Sequence, residues 1–541
     1  MFKLKTLSQA VAATVATSFL VGCGGGSSSS SDSTSSDTTD VSGSVFASYV
    51  VGAELVVTDG VNKIAGPVIT DAKGNFKVTL GNEQLKNNLF FVATGGSYTD
   101  EATGTVGVNS ERLAVYAAAN TLGSNPAINA TPSSSLIELL ISEYGLTEEE
   151  AKAAFESAFG YQPDTAIAPV DATQDNSSAT EDAKRAGIRA AAFSQLLENL
   201  GLDAGDHRAL LDALAEDLAD GSADGQGASG AVQLKGADLN ADIANKFSTA
   251  LFDFASDSDK NKTGLNTGQV GQIKFNNKAM SESYNFELTP EGMVQEGKST
   301  FKIAVTDNEN TPIVTAPMMM PMMYMAGGHM HGTPYKKCVD TAEDGVFECS
   351  LYFLMASAMA SGEVMGNWDL MFSVGMNENK ESVHFFPKVM MNMSDDTTSL
   401  TFKGEGDDTY TNMMEMETPR PYFVFKDSLM KSGDNHTLKL FVGARYSMMS
   451  HPELTNTGTT EDGALSSMPV RLFVGSSADA VTTEAVYTNG LWMITDIDWL
   501  TDGEQGSIFV SLDVDGTLKK QNDATVGELK LTPAASMNME M

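Results

Sequence analysis

Short apolar runs of period two, each closed by a glycine, asparagine or aspartate turn, recur along most of this chain and confine it to antiparallel sheets. They open with VSGSVFASYVVGAELVVTDG from Val41 and KIAGPVITDAKGNFKVTL after it. They return from about Tyr284 as STFKIAVTD, GVFECSLYFLM, NWDLMFSVGM, HTLKLFVGARY, SMPVRLFVG and GSIFVSLDVDG. Between about Asn120 and Gly221 the apolar period becomes helical. With 541 residues the chain exceeds one core, and at ~100–200 residues per domain it predicts three or four units. The expected fold class is mainly β and multidomain, with β-sandwiches flanking an α-helical bundle.

Charge narrows the partners. A formal net charge of −37 leaves no basic footprint for nucleic acid, and an anionic membrane surface would repel the folded body. Solubility in an exported setting accounts for the acidity.

The N-terminus carries a targeting pattern. Lys3 and Lys5 precede an apolar run from Ala10 to Val21, and Leu20-Val21-Gly22-Cys23 places small residues before a cysteine. This resembles the bacterial lipoprotein signal and its lipobox. The resemblance implies that Cys23 is lipidated and becomes the first mature residue, that Gly24 directs the protein to the outer membrane, and that it meets the membrane through this N-terminal lipid anchor. The alternatives are a plain secretory signal or a spanning anchor, for which the apolar run is short. The Gly/Ser-rich stretch 24–40 reads as a flexible tether. Cys338 and Cys349 remain, eleven positions apart. In an oxidising compartment they are expected to form a disulfide, with metal ligation as the alternative.

The segment Thr70 to Phe76, a turn feeding an aromatic strand start, resembles the carboxypeptidase regulatory-like (transthyretin-like) domain. That resemblance implies a sandwich over about Val41 to Val115 and no activity. In the helical region Thr147 and Glu150 form a capping box, Ala151, Ala154, Phe155, Ala158 and Phe159 an apolar stripe, and Gly160 a stop. Further helices are expected over Lys184 to Leu200 and His207 to Leu218, with His207 solvated. A sandwich followed by helices resembles a layout of surface-exposed bacterial lipoproteins and adhesin-like proteins. The C-terminal strands fit two Ig-like sandwiches. The expected divisions are 1–23 signal, 24–40 tether, 41–118 transthyretin-like, 119–279 helical, 280–397 Ig-like and methionine-rich, and 398–541 a second Ig-like unit.

Several formal motifs fail on context. Gly292 to Ser299 spells a P-loop, but a strand, not a helix, is expected to follow it. Gly225 to Gly230 spells a dinucleotide fingerprint in what reads as a linker. Asp257, Asp259 and Asn261 begin a calcium loop that lacks its glycine, replaced by Lys262, and its final carboxylate. No HExxH, GxSxG or CxxC occurs, so an enzyme is not expected.

Methionine survives this sieve. MMMPMMYMAGGHMHG, from Met318 to Gly332, holds seven methionines and two histidines. Thioether sulfur is a soft, neutral ligand, and beside imidazole it favours Cu(I). Met318, Met320, Met322, Met323, Met325, His329, Met330 and His331 form the candidate ligand pool, with copper as the expected cofactor. In a strand, Met323 with Met325, and His329 with His331, would share a face. Two prolines and Gly327-Gly328 suggest a loop or an edge. Other clusters lie at Met390-Met391-Asn392-Met393, Met413-Met414-Glu415-Met416, Met448-Met449 beside His451, and the tail of Met537, Met539 and Met541. Met355, Met371 and Met493 fall in apolar strand patterns and read as core.

The methionine-histidine segment, then Glu343 to Phe347, then Met365 to Leu370, resembles the YtkA-like and FixH-like periplasmic Ig-fold domains. That resemblance implies copper handling, although the cysteine pair departs from the pattern. The expected function is copper storage, delivery or sequestration by a lipid-anchored envelope protein. The rival is an adhesin-like or scaffold lipoprotein whose Ig-like domains bind an envelope or surface protein partner and whose methionines pack.

Overall fold

The computed structural model describes residues 38–534 except 124–125, 407, 413–415 and 460–464. Cys23, the signal, most of the tether, Met413, Met414 and the three tail methionines lie outside the described residues. The protein is mainly β and multidomain, and every pairing between its named strands is antiparallel.

The first sandwich sets the sheet Lys63–Ile69, Glu54–Thr58, Leu89–Thr94, Arg112–Ala117 against the pair Thr38–Ser44 and Asn75–Gly81. Its expected turn forms because Asp71 Oδ1 accepts the N–H groups of Lys73 and Asn75 at 2.8 and 2.9 Å. Gly74 follows at φ 70°, and a Cβ there would stand 2.4 Å from the Val45 carbonyl oxygen.

Among the described residues five helices follow, at Pro132–Ser142, Glu148–Phe159, Glu181–Asn199, His207–Leu218 and Ile243–Ser256. The second is built as its sequence predicts. Thr147 and Glu150 close a reciprocal cap, the five stripe residues are buried, and Gly160 ends the helix at φ 79°. Phe159, Phe193 and Phe247 pack ring against ring, with centroids 4.6 to 6.1 Å apart. One apolar interior runs from Val41 in the sandwich to Ile273 beyond the last helix and also takes in Phe386 of the unit that follows.

Two Ig-like sandwiches complete the described chain, each with its own interior, one spanning Ala279 to Val389 and the other Leu400 to Leu531. In the first, the five-stranded sheet Lys278–Met280, Tyr284–Pro290, Gly297–Asp307, Val346–Phe353, Val339–Asp340 faces a four-stranded sheet. The latter runs in the order Met330–Gly332, Met318–Met325, Gly366–Val374, Glu381–Phe385.

Side chains stitch successive units together. Asn367, with no exposed surface, donates to the Thr267 and Gly271 carbonyls at 2.9 and 2.8 Å and accepts from the Ile273 N–H at 2.9 Å. Phe252 meets Tyr324 edge-on at 4.9 Å. At the next joint Tyr352 stacks on Phe441 with centroids 4.1 Å apart, and its hydroxyl donates to Asp427 at 2.7 Å.

Two expectations are corrected. His207 is buried, 4% exposed, between the rings of Tyr98 and Phe193, because the sandwich packs over its helix. Gly225 to Gly230 is no loose linker: Gln226–Gly227 and Gly230–Ala231 pair as a hairpin. The P-loop-like residues Lys298 and Ser299 lie in the strand Gly297–Asp307, with Lys298 paired to Asp427 at 2.9 Å. Asp257 caps a turn through the Asp259 N–H, and Asn261 donates to the Ala255 and Leu265 carbonyls, so these polar groups serve the loop itself.

Candidate functional site: the methionine hairpin

The stretch from Met318 to Gly332 is a β-hairpin rather than a loop. Met318–Met325 pairs with Gly366–Val374 along eight residues, and Met322, Met323 and Tyr324 also pair with Gly332, His331 and Met330. The short second arm leaves Met318 to Pro321 on an open edge, where a residue without an N–H is tolerated. Glycine makes the docking possible at the other end. A Cβ on Gly268 would lie 2.3 Å from the main-chain carbon of Met325, and Asn266 donates to the Ala326 carbonyl at 3.1 Å.

Strand alternation divides the ligand pool between two faces. Met319 and Met323 point into the sandwich interior, with Met325 partly buried at its margin. On the other face Met318 and Met320 are exposed, and Met322 is buried. His329 and Met330 are exposed and, with Met325, line an open groove of about 360 Å³ beside Ser258 and Asn261. His331 is buried. The two histidines expected to share a face are therefore separated: His329 lies in the turn, its carbonyl accepting from the Met325 N–H, and only His331 is in the strand.

His331 is held from several sides. Its Nδ1 lies 2.8 Å from the Gly332 carbonyl oxygen, so Nδ1 is the protonated nitrogen. Nε2 lies 3.2 Å from Sδ of Met355. The ring stands edge-on to Trp368 at 5.5 Å, and the indole N–H donates to the Met355 carbonyl at 3.1 Å. Burial pushes the His331 pKa down, and the Arg445 guanidinium adds to this against the opposing pull of the Gly332 carbonyl. Met355, read from sequence as core, is the neighbour that sequence missed. It is partly buried against the interior and 24 positions from His331, and no local spacing signals the contact.

A second methionine cluster also arrives here. The Gly332 N–H donates to the Met448 carbonyl at 2.7 Å, and His451 is buried nearby with Nε2 accepting from Arg445 at 2.9 Å. On the opposite face, Asp369 pairs across from Met322 and holds His384 at 3.0 Å. Burial works against the charged His384, but the Asp369 and Asp253 carboxylates together outweigh it and raise the pKa. Cys338 and Cys349 are joined as a disulfide on the facing five-stranded sheet. Among the described residues no three His, Cys, Asp or Glu side chains are gathered so as to hold a metal ion, and no helix is long and apolar enough to cross a membrane.

No protein family and no curated protein matches the chain. Among solved structures, the adhesin InvE of Yersinia pseudotuberculosis is similar at 11% identity and a TM-score of 0.13, over 46% of this chain and 58% of that one. The Escherichia coli adhesin FdeC is similar at 14% and 0.15, over 48% and 67%, and a marsupial T cell receptor at 10% and 0.14, over 45% and 98%. This chain thus spans little more than half the length of InvE.

Proposed function

We propose that the chain is an exported, lipid-anchored, non-enzymatic scaffold of adhesin-like kind, whose Ig-like units engage another protein in the envelope or at the cell surface. The observation that carries this reading is the stitching of successive units by buried side chains, Asn367 at one joint and the Tyr352–Phe441 stack at the other. Joints of this kind hold distant faces at fixed separation, which suits display and docking. The disulfide supports an oxidising compartment, and Cys23 supports the anchor. The test is binding of the purified full chain to bacterial and host cell surfaces and to matrix proteins, with and without a chelator. Saturable binding indifferent to the chelator is expected, and no saturable binding to any of these surfaces would overturn the reading.

A second reading, soft-metal handling, is favoured by one observation, the contact of His331 Nε2 with Met355 Sδ. Here the protein would store or deliver copper without turnover. Protein recovered from copper-fed cells is expected to carry copper through desalting, and copper-free protein would overturn it.

A further inference from the structure

We propose that His331 Nε2 and Met355 Sδ are two ligands of one buried Cu(I) site, with Met323 supplying the third from the adjoining strand. The inference rests on the soft-metal reading and gives it a specific ligand set, different from the exposed methionine pool.

The geometry starts from hydrogen-bond accounting. The Gly332 carbonyl has only lone pairs to offer, so the single proton of a neutral imidazole sits on Nδ1 at 2.8 Å from it. Nε2 then presents a bare lone pair to the thioether of Met355 at 3.2 Å, and that sulfur also has only lone pairs. In this tautomer of the neutral ring two acceptors face each other with no hydrogen between them. A buried acceptor left unmatched is costly, whereas a cation that takes both lone pairs turns the same contact into a site.

The separation is near what ligation needs. Metal–nitrogen and metal–sulfur bonds of about 2.0 and 2.3 Å span roughly 3.7 Å at the 120° of a three-coordinate centre, so binding opens the 3.2 Å contact by about half an ångström, a shift within reach of the flexible Met355 side chain. Met323 is the register partner of His331, so the two side chains leave adjacent strands on the same face. Met323 and Met355 both pack in the same sandwich interior.

Ligand chemistry selects the ion. One neutral nitrogen and two neutral sulfurs carry no charge to offset a hard divalent cation, and thioether favours Cu(I) over zinc or calcium. Trp368 acts as a positioning residue. Its N–H fixes the Met355 carbonyl and its ring stands edge-on to His331, so it orients both ligands without touching the metal.

The test is anaerobic titration of the chain with Cu(I) against a chromophoric Cu(I) chelator, with tryptophan fluorescence followed in parallel, to which Trp492 and Trp499 contribute a constant background. Wild type is expected to bind one Cu(I) at this site with a fall in fluorescence. Met355→Leu, which conserves volume, should weaken that binding by about a hundredfold or more and abolish the fluorescence change, since loss of a supporting residue alone costs 10–100-fold. The surface variant Met318→Leu/Met320→Leu/Met330→Leu should bind as wild type does. Copper retained by Met355→Leu and lost from the surface variant would overturn the site and leave the soft-metal reading standing. No Cu(I) bound by wild type would overturn both. X-ray absorption on the copper-loaded wild type keeps the test independent of variant folding: mixed nitrogen and sulfur neighbours are expected, and an all-nitrogen or all-oxygen shell would overturn the site.

Discussion

The side-chain oxygen of Asn367 accepts the main-chain N–H of Ile273 at 2.9 Å, and the same amide reaches Gln272, Thr267 and Gly271. One residue of the Ig-like sheet thus satisfies the polar groups of a segment that follows the helices. Replacing it with alanine leaves several buried partners unmatched, at 1–3 kcal/mol for each such group. Asn367→Ala is expected to lose about 3 kcal/mol or more and to split a shared unfolding transition into two, as read by differential scanning calorimetry. A single unshifted transition would show that the joint contributes nothing.

Gly268 tests the same joint by close approach. A methyl group there meets the Met325 and Ala326 backbone at 2.3 to 2.6 Å, and backbone in a paired strand cannot yield as a side-chain tip can. Gly268→Ala is expected to destabilise by roughly 1–3 kcal/mol in urea unfolding. Gly264→Ala has open space around its Cβ but a φ of 79°, so it reports backbone strain alone.

His207 gives the helical unit a pH dependence of defined sign. Burial pushes its pKa down from 6.5 to about 4, with Asp100 opposing. The unfolded chain then binds the extra proton between those values. Stability from this group is complete above pH 6.5 and falls as pH drops toward 4, by roughly 3 kcal/mol for a gap of about 2.5 units. His207→Gln lacks that slope. Denaturation measured at intervals from pH 7.5 to 4.5 should show wild type losing stability relative to the variant as pH falls, and parallel curves would sink the prediction.

Removal of the Cys338–Cys349 bond frees an 11-residue separation in the unfolded chain. On the chain-entropy account the loss is about 3 kcal/mol. Cys338→Ser/Cys349→Ser, compared with wild type by thermal melting with and without reductant, should reproduce the reductant effect. A double variant as stable as oxidised wild type would refute this.

Legibility in the sequence tracks the range of the interactions. The helix Glu148–Phe159 was legible to the residue in its cap, stripe and stop, because all three signals lie within one segment. Strand placement in the C-terminal half was legible from period-two runs. The Met318–Met325 strand was harder, since proline and the Gly327-Gly328 pair are loop signals, and only the partner strand Gly366–Val374 overrides them. The burial of His207 depends on Tyr98, 109 positions earlier in the sequence, and the contact of His331 with Met355 on a fold-made approach across 24. Pattern reading sees neighbours at two, three or four positions, and those contacts are invisible to it.

The eight-residue register of Met318–Met325 also restricts what the gene can tolerate. Insertion of a single codon between Met320 and Met322, with the later residues held in register, would exchange the faces of the earlier ones, sending Met318 and Met320 inward and Met319 to water. Methionine-for-methionine composition would be untouched by such a change, yet interior and surface would trade places. A change in the length of this segment therefore disturbs the fold more than exchange of one of its methionines for leucine.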